Sequence, residues 1–146
     1  MLDHGCGTAA LAILIKKAQP GADVIGIDGD RKSLDAALAK TRKQGVNIPL
    51  FDAMVFDLPC RDNYFDRVFA GMLFHHLTTK DKILAAEEMY RIPKPGGELH
   101  VADFGRPQNA LMAYIARIMR HVILKRWSTI SRGFCRALST QQILSI

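Results

Sequence analysis

The sequence predicts an α/β protein with a doubly wound, mostly parallel sheet and helices on both faces. Three observations carry that expectation. Short apolar runs alternate five times with longer helical stretches, as a parallel sheet with crossover helices requires. The length of 146 residues suits one domain. A composition of 49% apolar and 23% charged residues is globular, which excludes disordered, collagen-like and disulfide-scaffold chains.

The elements follow in order. Met1–Leu2 reads as the stump of a first strand, so the chain is expected to begin inside that strand or to have lost its start. Thr8–Lys17 reads as a helix with Leu11, Ile15 and Ala18 on one face, broken by Pro20 and Gly21. Val24–Ile27 is a β-branched run, read as a strand. Asp30 can cap a helix over Arg31–Gln44, and Gly45 suits its end. Leu50–Phe56 is expected as a third strand and Phe65–Gly71 as a fourth. Thr79 can cap a helix over Lys80–Arg91, Pro93–Gly97 reads as a turn, and Glu98–Phe104 as a fifth strand. Pro107 suits the start of a long helix reaching about Trp127, and Thr140–Leu144 can hold one further helical turn.

The longest apolar runs, Ala9–Ile15 and Ala110–Ala116, fall far short of the roughly 20 residues that span a bilayer. No charged–apolar–small leader opens the chain, so export is not expected. Three cysteines, Cys6, Cys60 and Cys135, lack any C-x-x-C spacing; this fits a reducing cytoplasm and argues against a zinc site. The net charge of +6 is unevenly spread: residues 1–105 carry 13 Lys/Arg and 14 Asp/Glu, whereas residues 106–146 carry 7 Lys/Arg and no acid.

Asp3-His4-Gly5-Cys6-Gly7-Thr8-Ala9-Ala10 joins the first strand to the first helix. Glycines permit a tight turn against which a ligand can lie, and the helix start offers N–H groups to an anion. Gly5, Gly7 and Ala10 fit a dinucleotide fingerprint, while Asp3, Gly5 and Gly7 equally begin the D-x-G-x-G of methyltransferases. Asp28 closes the second strand 23 residues after Gly5, where an acid can accept from both ribose hydroxyls. Asp57 is read as closing the third strand in Val55-Phe56-Asp57-Leu58-Pro59.

Five segments, LDHGCGTA, VIGIDGD, VFDLP, NYFDRVFAGMLFHHL and EEMYRIPKPGGELHVADF, occur in this order. In them the chain resembles the class I S-adenosylmethionine-dependent methyltransferases, and most of all the branch with ubiquinone/menaquinone C-methylases. The resemblance spans residues 2 to about 105. It implies a Rossmann-like fold, S-adenosylmethionine as cofactor, and methyl transfer to a small-molecule acceptor. It further implies that Asp3 and the amides around Gly5 and Gly7 hold the amino-acid end of the cofactor. Asp28 would hold the ribose diol, and Asp57 would accept from the adenine amino group. Leu58 would pack on the ring, and Gly71 would lie near the cofactor.

The chain departs from the family at Ala9, where glycine is usual and a methyl is expected to crowd the cofactor. No convincing pair of strands follows Trp127, so the family's C-terminal antiparallel hairpin is expected to be missing along with most of the first strand. These departures favour one alternative, a truncated, non-catalytic cofactor-binding remnant or interaction module; a second, a nicotinamide oxidoreductase, rests only on the glycine loop and Asp28.

His75 and His76 follow the fourth strand. His75 is the candidate to take a proton from an acceptor, against the plainer reading of a segment common in the family whatever the substrate. His4 and His100 read as structural, and no metal is proposed. Leu111, Ile115, Ile118 and Val122 stack on one face of the last long helix, with Arg117, Arg120, His121 and Lys125 mostly off it. A solvated basic face is the plain reading, with peripheral membrane contact or self-association as sharper ones. Only Trp127 and Phe134 interleave aromatics with this charge, so nucleic acid is not expected. The expected organisation is a cofactor-binding core over residues 1–105 and a basic helix and tail of the same domain over 106–146.

Overall fold

A computed structural model of the chain describes residues 1–103. Five parallel strands run in the order β3-β2-β1-β4-β5. They are β1 (Leu2–His4), β2 (Ile25–Asp28), β3 (Leu50–Asp52), β4 (Phe65–Gly71) and β5 (Pro93–Ala102). The crossovers hold α1 (Ala10–Ala18), α2 (Arg31–Lys43) and α3 (Thr79–Arg91), and a 3₁₀ turn over Phe74–His76 follows β4. The predicted α/β class and parallel sheet are present. The long helix from Pro107, the basic face, the tail, the hairpin question and the boundary at 105/106 lie outside the described residues.

Strand β1 is the centre. Leu2 pairs with Ile25 on one side and Val68 on the other. Its three residues are all buried, and alternation sends them to opposite faces. Leu2 joins Ile27, Leu58, Phe65, Val68 and Ile92 in one apolar cluster. The neighbouring cluster holds Val55, Ala70 and Leu73 with Ala85 and Met89 of α3. On the other face Ala9, Ala12 and Ile13 pack with Val24, Ala37 and Ile48, under α1 and α2. Helices therefore cover both faces.

Most element bounds lie within a residue or two of the sequence reading, and four differences have a structural cause. Helix α1 starts at Ala10 rather than Thr8, because Ala9 stands in the left-handed region at φ 56°. Helix α3 is capped by Thr78, not Thr79; the Thr78 hydroxyl accepts from the Asp81 amide at 3.2 Å. The Pro93–Gly97 turn is instead part of β5. Phe65 pairs with Pro93 but Arg67 already pairs with Glu98, so β5 carries a bulge opposite β4. Gly97 allows it, since a Cβ there would lie 2.9 Å from the Lys94 carbonyl oxygen and 3.1 Å from those of Phe65 and Asp66.

The largest difference is β3, which stops at Asp52 rather than Phe56. Its partner β2 ends at Asp28, which pairs with Asp52, so no strand remains to continue the ladder. The chain turns instead, with the Ala53 amide on the Asp28 carbonyl at 3.2 Å and the Asp57 amide on the Met54 carbonyl at 3.0 Å.

Candidate functional site

The strand order reverses between β1 and β4, because β2 and β3 build outward on one side and β5 on the other. Ligands of open α/β sheets bind outside the carboxyl ends at such a point. The glycine loop rises from this edge at β1, with Asp28, Asp52 and Gly71 ending β2, β3 and β4.

The loop is fastened from within. The Gly5 and Cys6 amides both donate to the Ile27 carbonyl, at 2.8 and 2.9 Å. The Gly7 amide donates to Asp28 Oδ2 at 2.7 Å, and Asp28 Oδ1 takes the Asp30 amide at 2.8 Å. These three loop amides are thus engaged by the protein, contrary to the expectation that they stand ready for a ligand. What the glycines supply is conformation and room. Gly5 and Gly7 have φ of +74° and +53°. A Cβ on Gly7 would meet nothing within 4 Å, whereas one on Gly5 would sit 2.7 Å from Leu73 Cδ1.

Asp3 lies beneath this loop at 2% exposure and takes the Ala12 amide on Oδ2 at 3.0 Å, which ties the first turn of α1 to β1. Burial pushes its carboxyl up to about 6. Burial also raises Asp28, although the Asp30 and Gly7 amides oppose this. Ala9 is fully buried among Ala12, Ile13, Val24, Ala37 and Ile48. Its methyl fills the core rather than crowding a ligand, which corrects the sequence reading.

Two further residues stand elsewhere than expected. Asp57 does not close a strand; it is exposed on the turn beyond β3. Leu58 is 5% exposed and belongs to the core with Leu2, Phe65 and Ile92. Its amide donates to Glu88 Oε2 at 2.9 Å, and its carbonyl takes Arg91 Nη2 at 3.2 Å. The acid at the end of β3 is Asp52, whose buried Oδ2 has no hydrogen-bond partner among the described residues. Arg31 Nη1 approaches that oxygen only to 3.7 Å, and burial raises the carboxyl. The available signal was the length of β2, which left β3 no partner past Asp52.

At the other flank, His75 sits in the 3₁₀ turn after β4, its Nδ1 3.0 Å from Oδ1 of Asp103, the residue following β5. Oδ2 of Asp103 accepts the Phe74 amide at 2.6 Å and the His75 amide at 3.3 Å. The His76 ring lies against that of His75, centroids 3.9 Å apart. Sequence reasoning marked His75 but gave Asp103 no role, although an acid ending a strand had already singled out Asp28. Gly71 is half-buried; a Cβ there would make only ordinary contact with Leu11.

His4 is structural as expected. It is fully buried with Nε2 2.7 Å from the Val55 carbonyl oxygen. His100 is exposed and stacks on Phe69.

Comparison with protein families matches residues 1–97 to a family described as a methyltransferase domain. The chain is 32% identical over 118 residues to the demethylmenaquinone methyltransferase of Thermus thermophilus, covering 81% of this chain and 53% of that protein. It is 32% identical over 134 residues to the ubiquinone/menaquinone biosynthesis C-methyltransferase of Syntrophotalea carbinolica, covering 91% and 56%. The chain thus spans about half the length of these relatives. Among solved structures, the YcgJ protein of Bacillus subtilis superposes with a TM-score of 0.71 at 21% identity, over 88% of this chain and 58% of that one, and so shares its fold.

Proposed function

The chain belongs to the class I S-adenosylmethionine-dependent methyltransferases, and from that premise we propose that it binds this cofactor along the carboxyl edge of β1, β2 and β3 and directs methyl transfer to a small-molecule acceptor. When bound, the cofactor supplies a methyl group on a cationic sulfur, open to an O, N, S or C nucleophile. The chain's task is to align the acceptor with it and to exclude water.

The observation that carries this reading is the pairing of Asp28 with Asp52 at the ends of adjacent strands, beside a loop whose Gly7 opens onto free space. The donor chemistry fits. Each Asp28 oxygen already takes one amide, and a carboxylate has about four acceptor sites in all, which leaves capacity for a ribose diol. The unsatisfied Asp52 Oδ2 suits the adenine amino group, so Asp52 takes the role first given to Asp57. Gly7 admits the amino-acid end, Gly71 borders the cofactor, and Asp3 acts by holding α1 under the loop. Leu58, in the core, takes no part.

The acceptor we propose is a quinol-type ring, because relatives are named as demethylmenaquinone and 2-phytyl-1,4-naphthoquinone methyltransferases. A cytoplasmic setting belongs to the same reading and is supported by Cys6 and Cys60, both free thiols. Among the described residues no helix is long and apolar enough to cross a membrane.

Calorimetry of the full chain with S-adenosylmethionine, S-adenosylhomocysteine and NAD tests the binding half. Heat with the two adenosyl ligands and none with NAD is expected; no heat with either, from folded protein, would falsify it. Methylation of 2-prenyl-1,4-naphthohydroquinone tests the acceptor.

A further inference from the structure

We propose that the outward face of α1 and α2 is a docking surface for an anionic lipid membrane. This docking does not depend on where a cofactor binds.

Charge is the first ground. Helices α1 and α2 together carry seven Lys/Arg and a single acid, Asp35, whereas the rest of residues 1–103 carries six Lys/Arg and thirteen Asp/Glu. A body that is nearly neutral in sum is therefore divided, with +6 on two helices against −7 elsewhere. Both helices lie on one face of the sheet, with Val24 and Ile48 packed among their buried residues, so the positive charge gathers on one side of the molecule. Lys17 Nζ donates to Gln44 Oε1, which brings the C-terminal ends of the two helices together and sets Lys17 near Arg42 and Lys43. Little of this charge is neutralised. Lys16 Nζ donates to the Ala22 carbonyl oxygen, again not an acid. Among the described residues, the one ion pair these helices make is that of Arg31 with Asp52, at 3.7 Å.

The apolar groups decide what this charge meets. Leu14 is 64% exposed with Lys17 one turn further on, and Leu38 is 42% exposed with Arg42 one turn further on. Helix α1 buries Ala12 and Ile13, and α2 buries Leu34, Ala37 and Thr41, so these two leucines stand off the packed stripes. A helix lying in a bilayer interface needs that combination, with apolar side chains entering the headgroup boundary and cations beside the lipid phosphates. A second copy of the chain does not suit the face, because two surfaces of the same sign repel. Nucleic acid suits it poorly, because neither helix has an aromatic residue on which a base could stack. A membrane held there lies along the flank of the sheet and leaves the carboxyl edge of the strands open.

The plainer role of these cations is to complement the carboxyl ends of the two helices in water. Co-sedimentation of the full chain with vesicles separates the two roles. The parent should bind vesicles of phosphatidylglycerol and phosphatidylcholine in equal parts, and should not bind phosphatidylcholine alone. Arg42→Gln/Lys43→Gln should weaken binding to the anionic vesicles about tenfold or more, the scale of two cations lost from a membrane surface. Lys80→Gln/Lys82→Gln removes the same charge from α3 and should change binding by less than about twofold, because screening confines the attraction to cations near the lipid. All four residues are exposed, and circular dichroism should show both variants folded. Leu14→Ser/Leu38→Ser should also weaken binding about tenfold or more, which attraction by charge alone would not require. Failure of the parent to bind anionic vesicles overturns the proposal. So does an equal loss in the Arg42/Lys43 and Lys80/Lys82 variants, which would assign the attraction to net charge or to residues 106–146. Unchanged binding in the leucine variant, or a duplex oligonucleotide that displaces the vesicles, overturns the lipid as occupant.

Discussion

His4 Nε2 donates to the Val55 carbonyl oxygen at 2.7 Å, a bond that joins the central strand to the turn beyond β3 across 51 residues. Its neighbour Asp3 is buried on the opposite face, against α1. Two ionisable groups thus sit side by side in the sheet centre, and each resists charging. Burial pushes His4 down to about 4 and Asp3 up to about 6.

Their contributions to stability have opposite signs. Between about pH 4 and 6.5 unfolded His4 binds a proton that the folded residue refuses, so stability falls as pH drops. Between about pH 4 and 6 folded Asp3 keeps a proton that the unfolded residue releases, so its contribution grows as pH drops. Each effect is about 3 kcal/mol in full, and the two largely cancel. Asp3→Asn, which keeps an acceptor for the Ala12 amide, uncovers the His4 effect. Between about pH 7 and 4.5 the variant should lose about 2 kcal/mol more than the parent in urea unfolding. Equal losses would mean that Asp3 ionises normally.

Asp28→Ala should weaken S-adenosylmethionine binding by about 1.5–3 kcal/mol, the scale of hydrogen bonds to a charged acceptor. The substitution also releases the Gly7 amide, so the loss combines missing contacts with a looser loop. Unchanged affinity by calorimetry would remove Asp28 from the site.

Asp52→Ala and Asp57→Ala should differ sharply. The first removes the unsatisfied carboxylate at the end of β3 and should weaken cofactor binding by about 1–3 kcal/mol. The second alters an exposed turn residue and should leave affinity unchanged. The reverse outcome would restore the assignment first drawn from the D-L-P segment.

Ala9→Gly should leave cofactor affinity within about twofold. It relieves left-handed strain of about 1–2 kcal/mol but gives up a fully buried methyl worth about 0.8 kcal/mol and makes the unfolded chain freer. Net stability should move by no more than about 1 kcal/mol in chemical unfolding. Tighter binding would mean that the methyl reaches the ligand after all.

Arg91→Met should destabilise the fold by about 2–4 kcal/mol while retaining much of the apolar stem. The guanidinium holds Glu88, Asp62 and the Cys60 carbonyl at 2.7 Å each. It thereby ties the irregular segment after β3 to α3. A change under about 0.5 kcal/mol would show these bonds to be replaced by water without loss.

The sheet was legible because its signals are local and redundant. The β-branched run before Asp28, the Asp30 cap and the glycines of the first loop each act within a few residues. Asp30 does accept from the Lys32 amide, and β4 spans Phe65–Gly71 as read. What failed was set by neighbours distant in sequence. Leu50–Phe56 is apolar but for Asp52, and the length of β2 ends the ladder at that residue. Leu58 looked like a ligand contact because of its place in a motif; its surroundings, Leu2, Phe65 and Ile92, come from three other segments. Asp103 has meaning only once β4 and β5 are paired.

The contact of Leu73 with Gly5 carries one more consequence. Leu73, the residue before the turn that bears His75, lies against Gly5 of the loop proposed for the cofactor, so a ligand that shifts this side chain acts on both segments. Two binding events joined in this way are thermodynamically linked, and the linkage is reciprocal. Whatever factor the methyl donor exerts on acceptor affinity, the acceptor must return to the donor, and the order in which they arrive cannot change it.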